Sequence, residues 1–511
     1  MATKIIFRIL FILDLVVTGA LAWAIYRTEL LSTQLVILAA GLLLLLPLLL
    51  YWMQREKKDQ NKKKGLRIAL IVLLLFLVIL EGAGFYFLNG YNRSMDVVTD
   101  GRTQVTRMTV YVKEDDLAQT MEYAVERQYV FGTLSFADEE AVAHTQSRIE
   151  SKYGKRITVK AYPSLLDLIT ALENGEVNAL LISSGYLDLM EELPEEYAGY
   201  ANQLRTLMES EVTTEIAVPI IQQNEEIDEE TALTLMSPEL WENSFVVYIS
   251  GIDTRGGAVT SSANSDVNIL AVVNTETKTV LLISTPRDYY VPFGYLDNHL
   301  DKLTHAGYKG IDGSMQVVGD YYGLPIDYYL RVNFAGFVNI IDALGGVDVD
   351  SDAAFTSAGY HYQKGINHLD GRAALRFVRE RHVFADGDRA RGRHQMAVIK
   401  GVIKGLVSFQ ALSNYSQIMD ELAGSFLTNA PKSLVGDMVR LTLDTEKGKW
   451  KVLTYSVNGY DRMDHSYSLG FIVYVMFPNT NTVEYARQLI ITVATGEPLT
   501  QTEINSNAPG Q

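Results

Sequence analysis

Ser244 to Arg255 reads SFVVYISGIDTR, and Ser265 to Val291 reads SDVNILAVVNTETKTVLLISTPRDYYV. The first is a β-branched and aromatic run ending in Gly-Ile-Asp-Thr-Arg, the pattern of a buried strand that delivers Asp253 and Arg255 at its carboxyl end. Open α/β sheets bind ligands at that edge. The second stretch holds two strand patterns joined by the polar loop Asn274 to Lys278, and so predicts a hairpin. Pairing Val273 with Thr279 sets Val267 opposite Thr285 and lays Asp266 beside Pro286 and Arg287. An acid and an arginine 21 positions apart then meet at one sheet end, and a slip of a residue or two leaves them close.

Further along, LDGRAALRFVRERHVFADGDRARGRHQ places Arg372, Arg376, Arg379, Arg381, Arg389, Arg391 and Arg393 within 22 residues, in a protein whose formal net charge is -17. Like charges repel, so a folded guanidinium cluster implies a polyanion, and the Arg fork suits phosphate oxygens. Asp370 is the predicted N-cap of a helix with Arg372, Arg376 and Arg379 on one face. ADGDRARG then reads as a turn before an apolar-periodic helix starting near Arg393. A solvated helix face explains one stripe of charge, but not arginines that continue through a turn into the next helix. Two segments converging on one anion explain both. Asp253 and Asp266 at neighbouring strand ends, with arginines beside them, suit a magnesium-bridged pyrophosphate; plain ion pairs at a sheet edge fit the spacing equally well.

Toward the amino terminus, Ile5 to Tyr26, Leu35 to Met53 and Leu66 to Leu88 are apolar runs of 19 to 23 residues. At ~1.5 Å per residue each spans a bilayer core of ~30 Å. Pro47 predicts a kink in the second. Two further full-length spans follow the first, which argues against a cleaved leader. The loop QREKKDQNKKKGLR carries seven Lys or Arg against two acids, so it is expected in the cytoplasm, with the amino terminus inside and everything after Leu88 outside. Residues 1 to 67 hold 10 basic and 4 acidic side chains, leaving 34 and 57 for the remainder. The outer part is therefore acidic, and DNA is not its expected partner. The absence of Cys excludes a disulfide framework. Asp14 and Glu81 fall inside spans near helix ends, where reaching the interface or pairing with a neighbouring helix is the expected role.

The expected organisation is an α/β protein with a membrane anchor over residues 1–88, a small accessory α/β domain over 105–235, a larger mixed-sheet domain over 240–495 and a disordered tail over 496–511. Residues 89–104 read as a linker. In the accessory segment, strand patterns MTVYV, ITVKAY and NALLIS interleave with helical patterns DDLAQTMEYAVERQYV, DEEAVAHTQSRIESKYG and SLLDLITALENGE, without a catalytic constellation. QQNEEIDEET is an acidic connection between the two domains.

The run SGIDTR, SDVNIL, STPRDYYV, DKLTHAGY, IDYYLRVNFAGF, DALGGVDVD, LDGRAALRFVRERH, GDRARGRHQ closely resembles the extracytoplasmic domain of the LytR-CpsA-Psr proteins of Gram-positive bacteria, over about residues 240 to 400. Three spans and an accessory domain resemble its capsule-associated CpsA branch. The resemblance implies a magnesium-dependent phosphotransferase that moves a glycopolymer, capsular polysaccharide or teichoic acid, from a polyprenyl-pyrophosphate carrier to peptidoglycan. It implies Asp253 and Asp266 as metal ligands, and Arg255, Arg287, Arg379, Arg381, Arg391 and Gln395 as pyrophosphate ligands. Asp266, Arg287, Arg379 and Arg381 are the implied catalytic set, and Asp288 is expected to orient Arg287. Arg389 and Arg393 have no equally firm counterpart and read as rim charges. His299, His305, His382 and His394 are expected to be structural.

The implied reaction is attack of a muramic acid 6-hydroxyl on the phosphorus next to the sugar, expelling lipid phosphate. YYLRVNFAGFVNIIDALGG and GFIVYVMF are candidate linings for the prenyl tail, with ordinary core the commoner fate of such stripes. Implied partners are the membrane and other capsule or wall assembly proteins, with no nucleic acid. Rival readings are a polyprenyl-pyrophosphate phosphatase and a non-catalytic lipid- or glycan-binding regulator of capsule expression.

Overall fold

The computed structural model describes residues 2–29, 31, 33–55, 60–99, 103–216, 221, 227–252, 263–381, 383–384, 388–406, 425–443 and 449–509. The chain divides into two compact units: residues 1–99 with 406–423 and 430–446, and residues 100–405 with 424–429 and 447–511.

The first unit is built on helices α1 (Ala2–Arg27), α2 (Thr33–Arg55) and α3 (Gln60–Thr99). Within them Ile5–Arg27, Thr33–Met53 and Ile68–Arg93 are long and apolar enough to cross a membrane, so the chain carries a membrane anchor. Pro47 lies inside α2. Residues 89–99, expected as linker, instead continue α3 to a length of 40 residues, or ~60 Å. Polar contacts hold that extension in place. The Asn92 amide donates to the Ala24 carbonyl at 3.0 Å, and Asp96 accepts from Arg27 at 2.7 Å and from Lys432 at the start of the helix Lys432–Leu443. Asp14 and Glu81 are both buried between helices, and the Thr18 hydroxyl on α1 donates to Glu81 on α3 at 2.6 Å.

The second unit contains two sheets. Strands β1 (Thr103–Lys113), β2 (Val130–Leu134), β3 (Thr158–Tyr162), β4 (Ala179–Ser183) and β5 (Leu204–Glu215) form one in the order β3-β2-β4-β1-β5. β2 is parallel to β3 and β4, whereas β1 is antiparallel to β4 and β5. The helical pattern expected through Val130 ends early, at Glu126, and β2 follows. Packing decides this: a Cβ on Gly132 would lie 2.5 Å from Leu168 Cδ1, so the strand presses against the helix Leu165–Glu173.

The second sheet has six strands. Ser244–Ile252 (β6), Ser265–Asn274 (β7) and Thr279–Thr285 (β8) form an antiparallel meander at its centre. Tyr328–Asn333 joins β6 in parallel, Lys451–Ser456 joins β8 in parallel, and Phe426–Thr428 closes one edge. β6, β8 and the two parallel additions therefore bring their carboxyl ends to one edge, where β7 begins. The register pairs Val273 with Val280 and Asn268 with Thr285, one residue from the expected pairing. One continuous hydrophobic core joins the two sheets. It includes Leu168, Tyr186 and Leu189 from the first, Leu270, Leu281 and Ile283 from the second, and Val483, Ile490 and Val493 from the helix Thr480–Ala494.

The tail expected to be disordered forms the helix Gln501–Asn507. Thr500 and Glu503 make a reciprocal capping box, Gln501 donates to the Thr454 carbonyl at 2.9 Å, and Ile504 is fully buried. A single apolar anchor in a polar stretch leaves no periodicity to read. Replacing Ile504 with Asp is expected to release this helix. Hydrogen exchange of residues 501–507 then accelerates by the loss of roughly 2–4 kcal/mol of local opening energy, whereas unchanged protection shows that the anchor is dispensable.

Candidate active site

β7 starts at the shared edge, and a buried polar network fixes its first residues. The Tyr248 hydroxyl donates to Asn268 at 2.5 Å, the hydroxyls of Ser250 and Ser265 lie 2.8 Å apart, and the Asn268 amide donates to the Ser265 carbonyl at 2.9 Å. Buried polar groups satisfied in this way specify one backbone path. Asp266 sits in that segment. β8 leaves the sheet at Pro286, and the next residues are clamped by main-chain bonds: Thr304 N–H to the Arg287 carbonyl at 2.9 Å, and Met476 N–H to the Asp288 carbonyl at 2.7 Å. With both backbones fixed, Arg287 Nη1 donates to Asp266 Oδ1 at 2.7 Å. Asp288 Oδ2 stands 3.4 Å from Arg287 Nε, the orienting position expected of it.

The third component arrives on the helix Asp388–Leu406. It begins before the expected start near Arg393, so Arg391 and Gln395 lie one turn apart on a helical face rather than across a turn. The stretch DRARG carries no apolar period, which hides the true start from a reading of periodicity. Gly392 permits the docking of this helix, since a Cβ there would lie 3.0 Å from Ser284 Oγ. The amino-terminal turns of a helix also carry positive potential that favours anions. Asp266, Ser284, Thr285, Pro286, Arg287, Arg391, Gly392, Gln395, Ser456 and Val457 thereby line one open cavity of about 340 Å³. Ser456 Oγ is buried there without a hydrogen-bond partner among the described residues.

Four of the expected site residues, Asp266, Arg287, Arg391 and Gln395, are therefore brought together. Arg379 ends the helix Gly371–Arg379, capped at Asp370 as expected, and its guanidinium lies 4.5 Å over the Phe334 ring. Phe334 follows Asn333, which pairs with Ile252, so Arg379 flanks the same sheet edge without lining the cavity. Arg381 is exposed and also stands outside the lining. Asp253, Arg255 and His382 lie outside the described residues, as does the side chain of Arg389. Arg393 pairs with Asp352 at 3.1 Å.

A family model described as the LytR_cpsA_psr family matches residues 210–484. The chain belongs to the LytR-CpsA-Psr family. It is similar to a polyisoprenyl-teichoic acid–peptidoglycan teichoic acid transferase TagU of Bacillus anthracis, at 35% identity over 193 residues, which is 38% of this chain and 62% of that protein. The chain thus spans less than two thirds of that relative's length. The TagU of Enterococcus faecalis is 32% identical over 216 residues, covering 42% of this chain and 70% of that protein. Among solved structures, B. subtilis TagV aligns with a TM-score of 0.41 at 24% identity over 51% of this chain and 100% of that one. TagT bound to LI-WTA aligns with a TM-score of 0.40 at 26% identity over 54% and 96%.

The described histidines of the LytR-CpsA-Psr domain are structural. His299 stacks on Tyr467 at 4.2 Å, and His394 is buried and stacked on Phe355 at 5.2 Å. His305 is buried with Nδ1 2.8 Å from Asp301 and 3.0 Å from the Ser468 hydroxyl, and Nε2 3.6 Å from Glu192. Burial opposes an imidazolium there, but the Asp301 and Glu192 carboxylates outweigh it and raise the pKa of His305. Burial likewise opposes ionisation of Asp301 and Glu192, yet His305, joined for Glu192 by Lys302, holds both below the usual carboxylate range.

Sequence reading also missed Arg331, a buried guanidinium in YYLRVNF that donates to the Ala263 carbonyl at 3.2 Å and whose pKa burial brings down to about 10. Its position inside a strand was the available signal, because a charge there needs a reason.

Linkage gives the sign of the His305 effect. A raised folded-state pKa stabilises fully below the unfolded value of about 6.5 and is lost as pH rises through the folded value, while the two depressed carboxylates stabilise above about 4 and lose that on acidification. The thermal midpoint of the chain is therefore expected to decline from about pH 6.5 upward as His305 deprotonates, and His305→Asn to flatten that decline. Parallel pH profiles in the two proteins would remove this role.

Proposed function

We propose that the chain transfers a glycopolymer from a polyprenyl-pyrophosphate carrier to peptidoglycan, forming a phosphodiester. The observation that carries this reading is the convergence of Arg287, Arg391, Gln395 and Asp266 on one open cavity in an otherwise acidic chain. Two guanidinium groups and a carboxamide supply donors for a diphosphate, and Arg379 at the flanking edge supplies a further cation. Arg381 and Arg255 are assigned by resemblance to the same anion. The printed name of the TagU relatives describes transfer of teichoic acid to peptidoglycan from a polyisoprenyl carrier, which is the same chemistry.

In this reading a sugar hydroxyl of peptidoglycan, the 6-hydroxyl of muramic acid, attacks the sugar-linked phosphorus. A new P–O bond forms, the bridging P–O bond to the lipid phosphate breaks, and polyprenyl phosphate leaves. Negative charge grows on the bridging and terminal oxygens, where Arg287 and Arg391 are already oriented and cost little reorganisation. Asp266 is the only carboxylate among the described lining residues, which makes it the candidate acceptor of the hydroxyl proton.

The lining also fits magnesium in its donor chemistry. Asp266 offers a hard carboxylate oxygen and Ser456 a buried hydroxyl oxygen without a hydrogen-bond partner among the described residues, and a small hard cation needs one or two carboxylates besides water and phosphate. Asp266, with Asp253 by resemblance, would hold it, and it would neutralise diphosphate charge. The helix Phe334–Ala343 keeps Phe334, Phe337, Val338 and Ile340 only partly buried, an apolar surface suited to the prenyl tail. The basic loop between α2 and α3 supports an inside amino terminus with both sheets on the wall side of the membrane.

The test is transfer of a short-chain prenyl-pyrophosphate glycan to peptidoglycan by the full chain in detergent. Arg287→Ala and Arg391→Ala are each expected to slow transfer by roughly 10²- to 10³-fold, and chelation of divalent ions to stop it until magnesium is restored. Transfer at the parental rate in both variants overturns the assignment. Release of free glycan phosphate in place of conjugate would make water the acceptor and the protein a hydrolase.

A further inference from the structure

Arg287 belongs to an unbroken line of alternating charges that starts in a different part of the fold. Glu192, in the segment after β4, has Oε2 2.5 Å from Lys302 Nζ. Lys302 Nζ is 3.8 Å from Asp288 Oδ1, Asp288 Oδ2 is 3.4 Å from Arg287 Nε, and Arg287 Nη1 is 2.7 Å from Asp266 Oδ1. The middle of the line is sheltered: the side chains of Lys302 and Asp288 are 7% and 6% exposed, against 28% for Arg287 at the cavity.

Glu192 is itself held. His305 Nε2 stands 3.6 Å from its second oxygen, and His305 is fixed by Asp301 and Ser468. Around this contact the two sheets' elements dock tightly. Leu165 and Leu166 N–H donate to the Ser468 and Leu469 carbonyls at 2.8 and 3.1 Å, and Tyr186 stacks on Tyr308 at 5.2 Å.

From this geometry we infer that the accessory sheet is part of the active-site machinery: Glu192 and Lys302 are positioning residues that set the orientation of Arg287 through Asp288. The inference rests on the reading of Arg287 as a pyrophosphate ligand. Its physical basis is charge balance in a sheltered place. Asp288 is shared between Lys302 and Arg287. While Glu192 neutralises Lys302, Asp288 remains available to the Arg287 Nε side, and the guanidinium is pinned at two nitrogens with its remaining donors turned to the cavity. Without the Glu192 charge, Lys302 has Asp288 as its nearest carboxylate and draws it away, leaving Arg287 tethered to Asp266 alone. An arginine fork held at one point loses the directional advantage that makes it suited to phosphate.

The test uses the full chain in detergent micelles with geranylgeranyl pyrophosphate as probe and two readouts. One is probe affinity by calorimetry. The other is the rate at which phenylglyoxal labels Arg287, followed by mass spectrometry with Arg462 as internal reference. Glu192→Gln keeps shape and removes charge; Lys302→Met removes the cation; Lys302→Arg keeps it. Glu192→Gln and Lys302→Met are each expected to weaken probe binding about 5- to 10-fold, the range for coupled members of a charge network, and to raise Arg287 labelling at least about threefold, with Lys302→Arg within about twofold of the parent. A residue with only a packing role would not let Lys302→Arg rescue both readouts or confine the labelling change to Arg287.

If the parent binds the probe and neither readout moves in Glu192→Gln, or only one does, the relay is overturned while the proposed function stands. If the parent does not bind the probe, the functional reading falls, and labelling alone decides: a rise at Arg287 upholds the relay and a constant rate overturns it.

Discussion

The pairing of β7 with β8 is the constraint on which the site depends. Asn268 opposite Thr285 places the start of one strand against the end of the other, and Asp266 and Arg287 meet because each lies two residues beyond that pair. Side-chain contacts alone would not hold such a meeting at a sheet edge, where strands fray. Here Tyr248, Asn268, Ser250 and Ser265 anchor one backbone from below, and main-chain bonds from Thr304 and Met476 anchor the other from outside. The helix bearing Arg391 and Gln395 then needs only close access to Ser284, which Gly392 permits. Geometry comes first in this site, and the charges are placed on a frame already made rigid.

Electrostatics explains why the frame must be rigid. Arg287 gathered beside Arg391 pays a repulsion that an anion would relieve, and until one arrives carboxylates must stand in. Asp266 and Asp288 do so for Arg287, and Asp352 does so for Arg393 at the rim. Away from the cavity the balance is reversed: Asp301 and Glu192 are buried acids that need His305 and Lys302 as counter-charges. The two arrangements share Asp288 and Lys302, so the acidic and basic halves of the domain are electrically continuous.

Local signals made much of this legible in the residues alone. The hairpin was readable because its two strands are separated by one short polar turn, and the error of one residue in register came from a turn that pairs Asn274 with Thr279. Asp370 was readable as a cap because a cap needs only its own next three residues. Long-range decisions were not. Val130–Leu134 is a strand because Gly132 lets it press against the helix bearing Leu168, and the helix at Gln501–Asn507 exists because Ile504 finds a pocket far back in the chain. The Glu192 to Lys302 contact spans 110 positions and follows no spacing rule. Arg379 and Arg381, adjacent in sequence to the rest of the arginine cluster, were expected in one pocket with Arg391; the close of the helix at Arg379 sets them at the flank instead.

The buried Asp14 has a consequence for how the chain is made. A lone first helix leaving the insertion machinery would present a carboxylate to lipid at a cost of roughly 2.5–3.5 kcal/mol at the bilayer centre, and less nearer its faces. Once α3 arrives, Asp14 and Glu81 are both enclosed and Thr18 bridges the two helices. Membrane integration of this chain is thereby made sequential, with the first segment retained in a protected setting until the third is synthesised, and the acid serves as a checkpoint on assembly before any wall chemistry begins.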